Sequence, residues 1–178
     1  SSRLFSAIFD SSNNKVVIAY RDDGNSQYGT AIVGTVSGTS ISFGSPTVFE
    51  SANTPYISAT FDSNSNKVVI AYSDDGNSAH GTAIVGTVSG TSISFGSPTV
   101  FESAESNPMS ATFDSSNNKV VIAYADVGNS THGTAIVGTV SGTSISLGSA
   151  AVFESASSQP ISATFDSDAN KVVIAYQD

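Results

Sequence analysis

Asn-Lys-Val-Val-Ile-Ala-Tyr, at residues 66–72, recurs unchanged at 14–20, 118–124 and 170–176, so that each copy begins 52 residues after the last. Its five consecutive apolar or aromatic positions, three of them β-branched, are too few for a stable solitary helix and suit a strand covered on both faces. The chain is therefore expected to be an array of units built around that strand.

Working outward from it, the second copy contains four strand-like runs. Ile57, Ala59 and Phe61 alternate with Ser58 and Thr60, the pattern of a half-buried strand. Asp62-Ser63-Asn64-Ser65-Asn66 reads as a turn, because short Asx and Ser side chains bond their own backbone and tolerate positive φ. After the buried run Lys67 to Tyr72, the segment from Ser73 to Gly81 has the composition of a loop. Thr82 to Val88 is the third run, and the turn Ser89-Gly90-Thr91 leads to the fourth, Ser92-Ile93-Ser94-Phe95. That run is interrupted by Gly96-Ser97-Pro98 and resumes at Thr99-Val100-Phe101-Glu102. Proline cannot donate to a ladder, so the fourth run belongs at a sheet edge.

Such a meander has two apolar faces and cannot hide them alone. A period near 50 with four strands per repeat predicts an all-β fold, a β-propeller with four-stranded antiparallel blades of 52 residues. The blade limits are approximately 5–56, 57–108 and 109–160, with a half blade at 161–178. Parallel β-solenoids have shorter coils, and calcium-binding nonapeptide arrays need a G-G-x-G-x-D pattern that is absent. An immunoglobulin-like sandwich needs about 100 residues and leaves the likeness of single units unexplained. Runs one and two occur four times and runs three and four three times, about three and a half blades, while rings close with about 4 to 8. The expectation is either a fragment of a longer array or several chains completing one ring; two copies supply seven blades' worth of strands. Identical strands can also exchange places, so domain swapping is expected on refolding.

The motifs NKVVIAYSDDGN (66–77) and GTAIVGTVSGTSISFGSPTVFES (81–103) resemble near-identical repeat arrays in surface and tail-fibre-like proteins of marine bacteria and their viruses. The resemblance covers the whole chain. It implies a structural or binding module and transfers no catalytic residue. The hairpin from Thr60 to Tyr72 resembles the first hairpin of many propeller blades.

A net charge of −9, with six Lys and Arg in all, argues against nucleic acid as a partner, since phosphate binding needs clustered cations. Apolar runs of five or fewer residues exclude membrane insertion by a helix, and Ser1 to Phe5 form no signal peptide. Without cysteine there are neither disulfides nor thiolate metal sites. The acidic, Ser/Thr/Asn/Gly-rich surface suits an extracellular or virion setting.

Comparison of the copies separates fixed from varied positions. Differences gather in the second-to-third loop, with Tyr28, His80 and His132 equivalent, and in the links Asn53 to Tyr56, Glu105 to Pro108 and Ser157 to Pro160. In an up-and-down meander both emerge at the same end, so a binding surface can be tuned there while the scaffold stays fixed. Plain drift of exposed loops accounts for the same pattern. The candidate ligand-binding residues are Asp22, Asp23, Tyr28, Tyr56, Asp74, Asp75, His80, Asp126 and His132, with Pro108 beside them.

The expectation for cofactors is none. Ca²⁺ is the alternative, because Asp22-Asp23-Gly24-Asn25 and Asp74-Asp75-Gly76-Asn77 offer oxygen ligands. The third copy, Asp126-Val127-Gly128-Asn129, loses one carboxylate, and the spacing is not that of an EF-hand. These loops equally read as tight turns with Gly or Asn at positive φ. Ser73-Asp74-Asp75-Gly76 resembles the Asp-box of sialidase-type propellers, one residue short and without Trp. His80 and His132 read as surface residues, and Tyr20, Tyr72, Tyr124 and Tyr176 as caps of the core or platforms for a sugar. No serine has a positioned base and orienter, and identical copies cannot fill different catalytic roles. The expected function is therefore non-enzymatic binding or display, in the manner of a lectin. The alternative is a structural spacer or assembly subunit whose blades complete a ring across chains.

Overall fold

The computed structural model describes residues 4–178; residues 1–3, part of the segment read above as lacking a signal peptide, lie outside it. The first unit contains β1 (Phe5–Asp10), β2 (Lys15–Asp22), β3 (Tyr28–Ser37), β4 (Ser40–Phe43) and β5 (Thr47–Asn53). The second contains β6 (Ile57–Asp62), β7 (Lys67–Asp74), β8 (His80–Ser89), β9 (Ser92–Phe95) and the first part of β10 (Thr99–Asp114). The rest of β10, β11 (Lys119–Asp126), β12 (His132–Ser141), β13 (Ser144–Leu147) and β14 (Ala151–Ser157) form the third. A last hairpin, β15 (Ile161–Asp166) and β16 (Lys171–Tyr176), ends the array.

All strand pairs among the described residues are antiparallel, no α-helix occurs there, and no sheet closes on itself. Each full unit is a meander whose third strand carries the broken fourth on its outer edge. In the first, β4 pairs the second half of β3 (Gly34↔Phe43) and β5 the first half (Thr30↔Val48). The break around Pro46 and Pro98 thus falls at the edge, where a missing N–H costs no ladder bond. At the far end Asp62 accepts from the N–H groups of Asn64 and Ser65, both at 2.9 Å, and Asn66 closes the hairpin at φ 55°.

Successive sheets pack face to face, the front of each against the back of the one before. Val68, Ile70 and Tyr72 of β7 join Val17, Ala19, Val33 and Phe49 of the first unit in one core. Val69 and Ala71, on the other side of the same strand, join Met109, Val120, Ile122 and Tyr124 of the third. Bulky residues on each front thus meet smaller ones on each back, and burial of each large side chain stabilises by about 1.5–3 kcal/mol.

One expectation needs correction here. β6 is not half-buried: Ser58 and Thr60 are as buried as Ala59. Their side faces the following unit, where Ser58 Oγ accepts the Ala111 N–H at 2.9 Å. The same bond runs from Ala59 N–H to Ser6 Oγ (3.0 Å) and from Ala163 N–H to Ser110 Oγ (2.9 Å). A first strand pairs on one edge only, so this serine satisfies a donor that its own sheet leaves open.

Aromatic contacts tie the outer strands across the same junctions. Phe49 packs on Tyr72 with ring centroids 5.2 Å apart, Phe101 on Tyr124 at 5.1 Å and Phe153 on Tyr176 at 5.2 Å. Room for each Phe ring comes from a glycine on its own third strand: a Cβ at Gly81 would stand 2.4 Å from the Phe101 ring. At the break in the fourth strand the backbones of neighbouring units meet, and a Cβ at Gly96 would lie 1.9 Å from the Thr143 carbonyl oxygen.

Two substitutions separate packing from turn conformation. Gly142 stands at φ +61° with open space around its missing Cβ, so Gly142→Ala is expected to cost about 1 kcal/mol. Gly96→Ala must push two units apart and is expected to cost about 3 kcal/mol. Urea midpoints of the two variants check the order; equal losses would contradict the packing described.

Candidate functional site

The second-to-third loops and the inter-unit links lie side by side. Strand register sets Tyr28 opposite Asn53, His80 opposite Glu105, and His132 opposite Ser157. In the three full units the second strands run two residues past the expected end at tyrosine, and the third begin at Tyr28, His80 and His132. Candidate residues therefore form cross-strand pairs at the rim: Asp22↔Tyr28, Asp74↔His80 and Asp126↔His132.

The loops are built by their aspartates. Asp22 Oδ1 accepts the Gly24 N–H and Asp74 Oδ1 the Gly76 N–H, both at 3.0 Å, while Asp126 Oδ1 accepts from Asn129 at 3.1 Å. In the second and third units they cap single 3₁₀ turns, Asp75–Asn77 and Val127–Asn129. The positive φ expected at Gly or Asn falls instead on the next two residues, Ser78 (56°) and Ala79 (59°). Gly76 is needed for another reason: its missing Cβ would lie 2.7 Å from the Cβ of Ala52 in the preceding unit.

The second carboxylate of each loop is engaged differently. Asp23 pairs with Arg21 at 2.8 Å, and Asp75 accepts from Asn53 Nδ2 of the preceding unit at 2.6 Å. In the third unit, where Val127 replaces the carboxylate, Asn107 Nδ2 bonds Glu105 at 2.6 Å. Among the described residues no group of three His, Asp or Glu is placed to hold a metal ion.

What the links bring together is sharper. Tyr56, Pro108, Gln159 and Pro160 line one concavity of about 260 Å³. Tyr56, Pro108 and Pro160 are the same position of three successive units, so one cavity draws on all three junctions. Gln159 donates its amide N–H to the Asn107 carbonyl at 3.3 Å, which leaves its carbonyl oxygen for other donors. Gln159 and Pro160 belong to the varied link Ser157 to Pro160 read from the sequence, but of these four residues the sequence singles out only Tyr56, a candidate ligand-binding residue, and Pro108 beside the candidates. Tyr28, His80 and His132 stand on separate units, half-buried, and no side-chain hydrogen bond joins them among the described residues.

Two of the four repeated tyrosines are core residues, while Tyr20 is half-buried and Tyr176 exposed. Tyr72 and Tyr124 are fully buried, and each hydroxyl donates to a glutamate of the preceding unit: Tyr72 to Glu50 at 3.2 Å and Tyr124 to Glu102 at 3.3 Å. Burial above all, and then the neighbouring glutamate and aspartate, pushes both phenols well above their ordinary range. Glu50 is also raised, by burial first and then by Asp74, against the opposing bonds from Tyr72, Ser51 and Ala52.

Charge is divided between the two ends. Asp22, Asp23, Glu50, Asp74, Asp75, Glu102, Glu105, Asp126 and Glu154 lie toward the loops and links, where Arg21 is the one basic residue described. The lysines Lys15, Lys67, Lys119 and Lys171 all sit at the other end beside the Asp-Asn hairpins. Compared with protein-family models, curated proteins and solved structures, the chain matches none.

The raised Glu50 has a measurable sign. A carboxyl whose folded pKa lies above its unfolded value contributes stability that is complete below the unfolded pKa and is lost as pH rises through the folded one. Glu50→Gln is therefore expected to remove a fall in stability on going from acid to neutral pH. Urea midpoints of both proteins across that range check it; parallel pH profiles would contradict it.

Proposed function

We propose that the chain is part of a propeller-type scaffold that binds a neutral glycan on its loop-and-link face and carries out no chemistry. The observation that carries this reading is the cavity drawn from three successive links. It joins the Tyr56 ring, suited to the C–H face of a sugar, to the Gln159 carbonyl, suited to a hydroxyl. Its volume matches one sugar residue rather than a folded partner. The acidic rim disfavours anionic ligands, so sulfated or sialylated chains are poor candidates. Support for the ring comes from first strands packed directly on one another and from equivalent residues of three units converging on one cavity.

The sequence copies add to this. The central strand Lys-Val-Val-Ile-Ala-Tyr is identical in every copy, whereas Tyr28, His80, His132, Tyr56 and Pro108, which belong to positions that differ between copies, sit around the acidic end. Such a division suits a surface of extracellular or virion type that varies its target without altering its frame. Calcium is not required by this reading, because the loop aspartates already bond backbone N–H groups.

A second reading, an assembly subunit that completes a ring across chains, is favoured by a separate observation: the apolar front of the first unit is uncovered, with Phe5, Phe9, Ile41 and Phe43 exposed.

A glycan array probed with residues 1–178 tests the first reading. Binding to neutral glycans, lost in Tyr56→Ala and weakened in His80→Ala without loss of folding, is the expected result. A blank array would overturn it and leave the assembly reading.

A further inference from the structure

We infer that two copies of this chain associate head to tail, the first strand of one seated on the back of the last hairpin of the other. The inference concerns the ends of the stack and stands whether or not the loop face binds a glycan.

Every internal junction has the same construction. Ile161 packs on Ala123 and Ala125, and the Ala163 N–H beside it donates to Ser110 Oγ at 2.9 Å. Ile57 and Ala59 sit in the same way on the first unit, in contact with Ala19 and Ser6. The seat is thus a serine of the first strand with small residues at the end of the second.

That seat recurs, uncovered, on the last hairpin. Ser162 and Ala175 follow Ser110 and Ala123 by one period, the longer Gln177 stands where Ala125 does, and with Pro160, Ile161 and Tyr176 they line a concavity of about 310 Å³. Its mate is uncovered at the other end of the chain. Phe5 occupies the position of Ile57 and Ile161, yet it is 70% exposed where they are 1% and 0% exposed. Ala7 and Phe9 are exposed on the same side of β1, and the Ala7 N–H holds the position from which Ala59, Ala111 and Ala163 donate.

Knob and seat therefore continue an interface that the chain already makes at each of its junctions. The surface that fits them is another copy of this repeat, and in a solution of residues 1–178 a second molecule supplies it. Phe5 enters the concavity, and the Ser162 hydroxyl accepts the Ala7 N–H. Because head and tail differ, the contact is heterologous, and an open assembly retains one free head and one free tail in all until a ring closes.

Sedimentation velocity over a concentration series tests this with the whole chain and two variants, Phe5→Glu at the head and Ala175→Glu at the tail. Both residues are exposed, and far-UV circular dichroism confirms that the strands are retained; Phe5→Ser and Ala175→Lys replace any variant that loses them. The wild-type chain is expected to associate and each variant alone to sediment as a monomer. An equimolar mixture of the two should form a dimer and nothing larger, because it contains one intact head and one intact tail. A wild-type monomer at every concentration overturns the proposal. So does an Ala175→Glu variant that associates like the wild type, which marks a symmetric front-to-front contact, or a mixture that stays monomeric.

Discussion

A strand that is apolar on both faces can be dry only when a sheet lies on each side of it. Val68, Ile70 and Tyr72 point one way and Val69 and Ala71 the other, and all five are fully buried between neighbouring units. No unit is self-sufficient, which is the energetic character of repeat proteins, where stability resides in the junctions as much as in the units. The junction is more than an oily contact. A serine accepts the free N–H of the next first strand, and a tyrosine inserts beside a phenylalanine to reach a glutamate. These polar bonds fix the register of one sheet on the next, because either group left without its partner in the buried junction costs about 1–3 kcal/mol.

The same constraint frees one end of the molecule. With the central strands held fixed, the loops and links beyond them can change without disturbing the core, and many of the differences among copies lie there. The loops remain ordered nonetheless, because each is capped by its own aspartate and two of them press on an alanine of the preceding unit. Nearly all the unbalanced negative charge lies at this end, while the lysines neutralise the other. A face of this kind discriminates by repelling anions as well as by fitting a neutral partner.

Much of the fold was legible in the sequence, for physical reasons that can be named. Repetition of Lys-Val-Val-Ile-Ala-Tyr marked the central strand, Asp and Asn the far hairpins, and Pro46 and Pro98 the broken edge. The antiparallel meander follows from those signals. Whether the stack curves into a ring does not, since strand patterns specify what is buried and not the angle between sheets. Alternation of Ser58 and Thr60 with apolar residues suggested one wet face, but small hydroxyls also suit a buried junction where a donor needs an acceptor. For the candidate site, placement of Tyr28, His80 and His132 at one end was readable from topology. The cavity was not, because Gln159 and Pro160 meet Tyr56 only through packing of units that lie far apart in the chain.

Amide hydrogen exchange tests the junction most directly. The N–H groups of Ala59, Ala111 and Ala163 leave their own sheets and should nevertheless exchange as slowly as ladder amides, because a serine of the preceding unit holds each one. Ser110→Ala should speed exchange at Ala163 and leave Ala111 protected. Exchange at Ala59, Ala111 and Ala163 as fast as at loop amides, or an Ala163 indifferent to the loss of Ser110, would contradict the stacking of sheets on which this account rests.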